Sequence, residues 1–459
     1  MLTCLLRSVS RPFLLSGLTL LILLFCPLAV VQAEGPIGSP QAILYLTRPL
    51  TDAEAARRNT RARFEPPVGC YLGAFIDFDG SLSDAIRDQN GTKHFECAEY
   101  EGITARQHAT YFFYLGYGRR LPLDWVRRLG KQNKIVHIAL EPNDGLGKVR
   151  DDAYLHQLAD DMKKSGAKIF LRFASEMNGT WTVYQKNPKQ YREKYRLLYK
   201  VIHKRASNVA LVWCPYCLPY NNYDKYYPGD DATDWVGVNM YSVTYHNNSL
   251  KAPAEDEHPC DLLSTIYNMY AARKPFMICE FAATHNSAVE GRPRPDFAAR
   301  KITTLYNALP RIYPRVKCIN YFDSNNMQFV TDRAYNDYSV TDDPTVVQAY
   351  KYSIAAPYFL SNPHVSGTPP PPCPMPIRKG ERLKGQVRLS CWARATLDLV
   401  KVRYKMDGYT IYTADRPDYW ECLWNAGSVK PGRHTLTLEV MRPNGKVIAS
   451  QSVQVVTAK

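Results

Sequence analysis

From residue 69 to residue 322 the chain alternates short apolar runs with longer amphipathic stretches. The runs at 69–77, 109–115, 134–141, 168–174, 209–214, 235–241, 275–281 and 317–322 are rich in β-branched and aromatic residues. They are short enough to be strands buried on both faces. Between most of them lie helical patterns, such as 151–165 and 188–206. Eight strands alternating with helices predict an α/β architecture, a (β/α)8 TIM barrel. Periodicity does not establish closure, so a doubly wound open sheet is the alternative.

The pattern changes at 361–376, where seven prolines remove backbone donors and predict a stiff, extended linker. Beyond it, 386–392, 399–404, 434–440 and 447–456 alternate with period two. The turns Asp407-Gly408, Pro431-Gly432 and Asn444-Gly445 interrupt them. That reads as a small all-β, immunoglobulin-like sandwich. The predicted division is a signal peptide at 1–33, a barrel at 34–360, a linker at 361–376 and an accessory sandwich at 377–459.

Residues 1–33 carry Arg7 and Arg11, an apolar core and a small-residue end at Val31-Gln32-Ala33. This is the pattern of a secretory signal, with an uncut membrane anchor as the alternative. The protein is expected to be secreted, extracellular or periplasmic, with no membrane association after cleavage, and to be a monomer. The formal charge of +15 raises the question of nucleic acid. The basic residues are scattered rather than clustered, and export removes that partner, so none is expected. Ten cysteines follow the signal. An even number in an oxidising compartment permits disulfides, and Cys391 with Cys422 could pin the small sandwich. Cys214-Pro215-Tyr216-Cys217 has the spacing of a redox dithiol, but Pro219 and Asn221-Asn222 leave no helix start to activate a thiolate. No cofactor and no metal is expected.

Two strands end on a lone carboxylate: 168–174 runs into Ser175-Glu176, and 275–281 contains Glu280. In a barrel the strand C-termini carry the site, and two carboxylates there are the minimal apparatus for glycosidic hydrolysis. A strand-terminal glutamate by itself is more often a structural ion-pair partner. Trp181, Trp213, Tyr216, Tyr220 and Tyr223 crowd the ends of the fourth and fifth runs. Singly each is a core aromatic, but together they suit the apolar faces of sugars. Glu141, at the end of the third run, is a candidate for the rim.

The segments Arg172-Phe173-Ala174-Ser175-Glu176-Met177-Asn178-Gly179-Thr180-Trp181, Tyr226-Tyr227-Pro228-Gly229-Asp230-Asp231 and Asp234-Trp235-Val236-Gly237-Val238-Asn239-Met240-Tyr241 occur in that order. Together they resemble glycoside hydrolase family 26, best known for β-mannanases. The resemblance implies Glu176 as acid/base and Glu280 as nucleophile of a retaining, endo-acting enzyme on a β-linked polysaccharide. It implies Trp181 packing on sugar and Tyr241 bonded to the nucleophile. Arg172, Ser175, Asn178, Trp213, Glu141 and Phe322 complete the expected substrate-binding set. Ser175 stands where family mannanases usually carry histidine, and Phe322 where tryptophan is common. The implied substrate is therefore β-mannan or a related β-glucan or xylan. The alternative is a carbohydrate-binding protein that has lost turnover on the same barrel.

Overall fold

Eight parallel strands follow one another around a ring: β1 (Cys70–Phe78), β2 (Thr110–Gly116), β3 (Ile135–Glu141), β4 (Ile169–Phe173), β5 (Val209–Trp213), β6 (Trp235–Ser242), β7 (Phe276–Ala283) and β8 (Val316–Ser324). The computed structural model describes residues 40–459 except 332–334, 396–399, 417–419 and 459. The segment read as a signal peptide lies outside the described residues. β8 pairs in parallel with β1, with Cys318 beside Tyr71 and Phe322 beside Phe75, so the sheet closes into a barrel. That closure excludes the open doubly wound sheet.

Helices α1 (Cys97–Thr104), α2 (Leu123–Lys131), α3 (Ala153–Ser165), α4 (Pro188–Arg205), α5 (Pro259–Tyr270), α6 (Pro295–Ala308) and α7 (Pro344–Ile354) return the chain between strands and after β8. Their ends follow local chemistry. Asp152 caps α3 through Leu155 N, and Gly166 ends it at φ 73°. Asn187 and Pro188 start α4, which buries Tyr191, Tyr195, Leu198, Val201 and Ile202 along one face. Between β5 and β6 a one-turn helix, Tyr223–Tyr226, takes the place of a full crossover helix. Among the described residues no helix is long and apolar enough to cross a membrane.

Both faces of the ring are buried, and side chains alternate between them. Ala210, Val212 and Cys214 join an inner cluster with Phe170, Met277, Cys279 and Cys318, while Val209, Leu211 and Trp213 belong to the larger cluster shared with the helices. Across the interior Thr110 Oγ1 donates to Asn320 Oδ1 at 2.5 Å. Gly73 is required there, because a Cβ would come within 1.8 Å of Thr110 Oγ1 and 2.1 Å of Asn320 Oδ1.

Two further sheets share a second hydrophobic cluster. One holds Glu381–Lys384, Val447–Ala458, Gly432–Met441, Lys401–Met406 and Tyr409–Ala414. Asp407 (φ 48°) and Gly408 (φ 86°) make its tight hairpin turn, as the Asp-Gly pair predicts. The other holds Cys373–Pro376, Gln41–Arg48, Gln386–Arg394 and Cys422–Asn425.

That second sheet departs from the division read in the sequence. Gln41–Arg48, grouped with the barrel at 34–360, pairs antiparallel with Gln386–Arg394 on one edge and Cys373–Pro376 on the other. The end of the proline-rich stretch is thus a strand. Proline is tolerated there because the strand lies at the edge of its sheet and needs donors on one side only. The β-rich region also touches the barrel directly. Arg394 Nη2 bonds Asp261 at 2.8 and 2.6 Å, Arg311 Nη2 lies 3.1 Å from Glu421, and Trp392 packs edge-on to His258.

The expected disulfides are not formed: all ten described cysteines are free and buried. Cys422 pairs in register with Leu389, which leaves Cys391 as its diagonal neighbour. Diagonal neighbours lie ~7–8 Å apart, beyond the reach of a disulfide.

Candidate active site

The site is built where β4 stops. Past Phe173 the backbone turns sharply, with Ala174 at φ 47° and Glu176 at φ 59°, a region costly for residues with a Cβ. Such strain persists only where neighbours enforce it. Glu176 N donates to Cys214 O at 2.9 Å, tying the turn to the end of β5. Asn178 completes the tie, taking Tyr216 N on Oδ1 at 2.8 Å and giving Nδ2 to Tyr216 O at 2.9 Å. Its side chain is consumed by backbone, so Asn178 positions the Glu176 loop and does not present its amide to a ligand.

Glu280 reaches the same place by a different device. Ile278 pairs with Val238 and Glu280 with Asn239, so two residues of β7 oppose one step of β6. This bulge turns Glu280 into the barrel although Cys279 before it already faces inward. One cation and two hydroxyl donors converge on its carboxylate. Arg172 Nη2 lies 2.5 Å and Tyr114 OH 2.6 Å from Oε1, and Tyr241 OH donates to Oε2. Arg172 is fully buried and Glu280 is 2% exposed, so the pair compensates two charges removed from water.

The two glutamates are connected through Asn239. Arg172 Nη1 donates to Asn239 Oδ1 at 2.9 Å, and Asn239 Nδ2 donates to Glu176 Oε1 at 2.8 Å. Because a guanidinium only donates, the amide orientation is fixed and its N–H must face Glu176. Trp181 Nε1 donates to the other oxygen, Oε2, at 2.6 Å. Burial and then the charge of Glu280 push the Glu176 pKa up to about 7, against the pull of Asn239, Trp181 and Arg172. One carboxyl is thereby poised near neutrality, and the other serves as an acceptor for a cation and two hydroxyls.

Aromatic rings run round this pair. Tyr114 meets Phe75 edge-on, Phe75 stacks on Phe322 at 4.9 Å, and Phe322 meets Tyr241 at 5.7 Å. Tyr216 stacks with Tyr241 at 6.4 Å and meets Trp181 edge-on at 5.1 Å. Tyr338 closes on Tyr241 at 5.4 Å. Ser175 and Glu141 sit together to one side: Ser175 Oγ donates to Glu141 Oε1, and Tyr184 OH lies 2.7 Å from Oε2. Burial raises the Glu141 pKa, partly offset by Arg172 and these two hydroxyls.

Of the residues expected here, Glu176, Glu280, Trp181, Tyr241, Arg172 and Phe322 are brought together, and Ser175 with Glu141 adjoins them. Trp213 is not. It is fully buried and packs edge-on to Tyr227 and Tyr270, 5.0 and 5.4 Å away on the helix side of β5. Cys214 and Cys217 are buried, and burial pushes both thiols upward, which opposes the thiolate a redox dithiol needs. Tyr114, Asn239, Tyr184 and Tyr338 are additions. Asn239 was findable, since it lies two residues before Tyr241 in one strand and so shares its face. Tyr114 lies near the C-terminal end of β2, where polar groups deserve the same scrutiny as the glutamates.

A closed parallel barrel with two carboxylates among aromatic rings at its strand ends defines the class: an α/β-barrel protein with a paired-carboxylate cleft. Residues 130–252 match the model of glycosyl hydrolase family 26. It is 27% identical over 250 residues to Endoglucanase H of Acetivibrio thermocellus, covering 51% of this chain and 25% of that protein. It is 30% identical over 79 residues to a beta-1,3-xylanase of a Vibrio species, covering 16% of this chain and 17% of that one. The chain thus matches a quarter or less of the length of these relatives. A solved GH26 beta-mannanase from Bacteroides ovatus is 12% identical, with 65% of this chain and 94% of that chain covered and a TM-score of 0.44.

Proposed function

We propose that this chain is a secreted, retaining glycoside hydrolase that cuts a β-linked polysaccharide by double displacement. Glu280 attacks the anomeric carbon, and Glu176 protonates the departing oxygen. Tyr114, Tyr241 and Arg172 hold Glu280 and spread its charge until attack. When Glu280 becomes esterified its charge disappears, the Glu176 pKa falls, and Glu176 then takes a proton from the incoming water. The carrying observation is the different setting of the two carboxyls: Glu280 is held by Arg172, Tyr114 and Tyr241, whereas Glu176 meets only the neutral donors Asn239 and Trp181, and burial with the nearby Glu280 charge pushes its pKa up to about 7. Trp181 and Tyr216 supply stacking surface beside the acid.

The names of the relatives, an endoglucanase and a beta-1,3-xylanase, favour a β-glucan or xylan as much as the family's mannans. Ser175, bonded to Glu141 in place of the usual histidine, favours departure from mannan. We assign the barrel the chemistry and the β-rich region an accessory, immunoglobulin-like role. The test is incubation of the full chain with mannans, mixed-linkage glucans, and β-1,3- and β-1,4-xylans, reading reducing ends and anomeric configuration. Release of β-configured ends from one of them supports the reading. Binding without release selects a carbohydrate-binding protein instead.

A further inference from the structure

A second group of ligand-type side chains lies past the ends of β7 and β8, outside the paired-carboxylate cleft. His285 Nε2 faces Asp342 Oδ1 at 3.4 Å and Asp337 Oδ2 at 3.9 Å, and one ligand atom from each of the three residues lies within 4.8 Å of the others. The spacing is too long for good hydrogen bonds, which close at ~2.7–3.2 Å. It suits ligands around one ion: two atoms each ~2.1 Å from a metal in tetrahedral geometry are ~3.4 Å apart.

His285 is 6% exposed, and its Nδ1 has no hydrogen-bond partner among the described residues. The ring nitrogen that faces the two carboxylates is Nε2, and it stands too far from both for a good hydrogen bond, a costly arrangement for a buried imidazole unless an ion lies between them. The frame is fixed. His285 N donates to Asp337 O at 3.0 Å, and Asn286–Ser287 pairs with Asn336–Asp337. Asp337 is oriented by Ser339 N on Oδ1 at 3.0 Å and Asn325 Nδ2 on Oδ2 at 2.5 Å, the kind of outer support that ligating carboxylates carry.

We propose that His285, Asp337 and Asp342 bind one divalent cation of the zinc class. A mixed set of one imidazole and two carboxylates suits such borderline ions, with water completing the coordination. The ion ties the segment 336–342 to the exit of β7. Tyr338, the residue after Asp337, packs on Tyr241 and Phe322, so the tie holds one wall of the cleft. The role is structural and stands apart from glycosidic chemistry.

The test uses the full chain, stripped with chelator and titrated with Zn2+ by calorimetry, while Tm is followed with and without the ion. One ion per chain at micromolar or tighter affinity, with a raised Tm, is expected. Co2+ in its place should give visible bands without a thiolate charge-transfer band, separating this site from the cysteines. Asp342→Asn, on an exposed residue, should weaken Zn2+ binding at least tenfold and remove the Tm rise while leaving the fold intact by circular dichroism; His285→Gln should do the same. Failure of Zn2+ to bind, or binding unchanged in Asp342→Asn, overturns the proposal and leaves a plain His–Asp ion pair.

Discussion

The amide of Asn239 donates to Glu176 Oε1 at 2.8 Å while its carbonyl oxygen accepts from Arg172, the partner of Glu280. One neutral side chain therefore reports the state of each carboxyl to the other. Asn239→Ala removes a donor that favours the ionised form of Glu176, so the Glu176 pKa should rise. The basic limb of the kcat/KM profile should move upward from about 7, with kcat reduced. A basic limb that stays in place would remove Asn239 from the electrostatics of the pair.

Glu176 also predicts a pH dependence of stability. Its carboxyl titrates at its ordinary 4.5 when unfolded and at about 7 when folded, so the native state is penalised as pH rises from 4.5 to 7. Glu176→Gln lacks this penalty. Its Tm should match the parent below pH 4.5 and exceed it increasingly up to pH 7, by the equivalent of ~3 kcal/mol at most. Tm measured across that range checks the sign.

Single substitutions of the two glutamates should separate their roles. Glu280→Ala should lose turnover on every substrate and regain part of it with added azide. Glu176→Ala should lose ~10²–10⁴-fold on polysaccharide yet spare an aryl glycoside whose leaving group needs no proton. Equal losses on both substrates for Glu176→Ala would contradict an acid role.

Tyr114→Phe and Tyr241→Phe each remove one donor to Glu280 without changing ring packing. A hydrogen bond to a charged group is worth ~1.5–3 kcal/mol, so each should lower kcat about 10–100-fold. Steady-state kinetics on a soluble polymer would show this, with KM little changed.

A chain ending at Leu360 should fold poorly. It would strip both edges of Gln41–Arg48 and expose Leu44 and Leu46, now buried in the second cluster. Solubility and Tm of the truncated protein test this, and a soluble, cooperative barrel would show that the β-rich region is dispensable.

Local pattern in the sequence determined the eight barrel strands, several helix caps, the Asp-Gly hairpin and the two strand-end glutamates, because periodicity and turn chemistry are written within a few residues. What the tertiary structure decided were relations across the ring. Trp213 sits in a strand apolar on both faces, so its outward direction could not be read from an alternation that is absent. Glu280 turns inward because of a bulge set by pairing with β6. Gln41–Arg48 joins strands more than 300 residues away, and no local signal carries that. The link from Glu280 through Arg172 and Asn239 to Glu176 likewise exists only once β4 to β7 take their places in order around the ring. Contacts between distant strands depend on closure of the ring, and closure is a property of the whole sheet rather than of any segment.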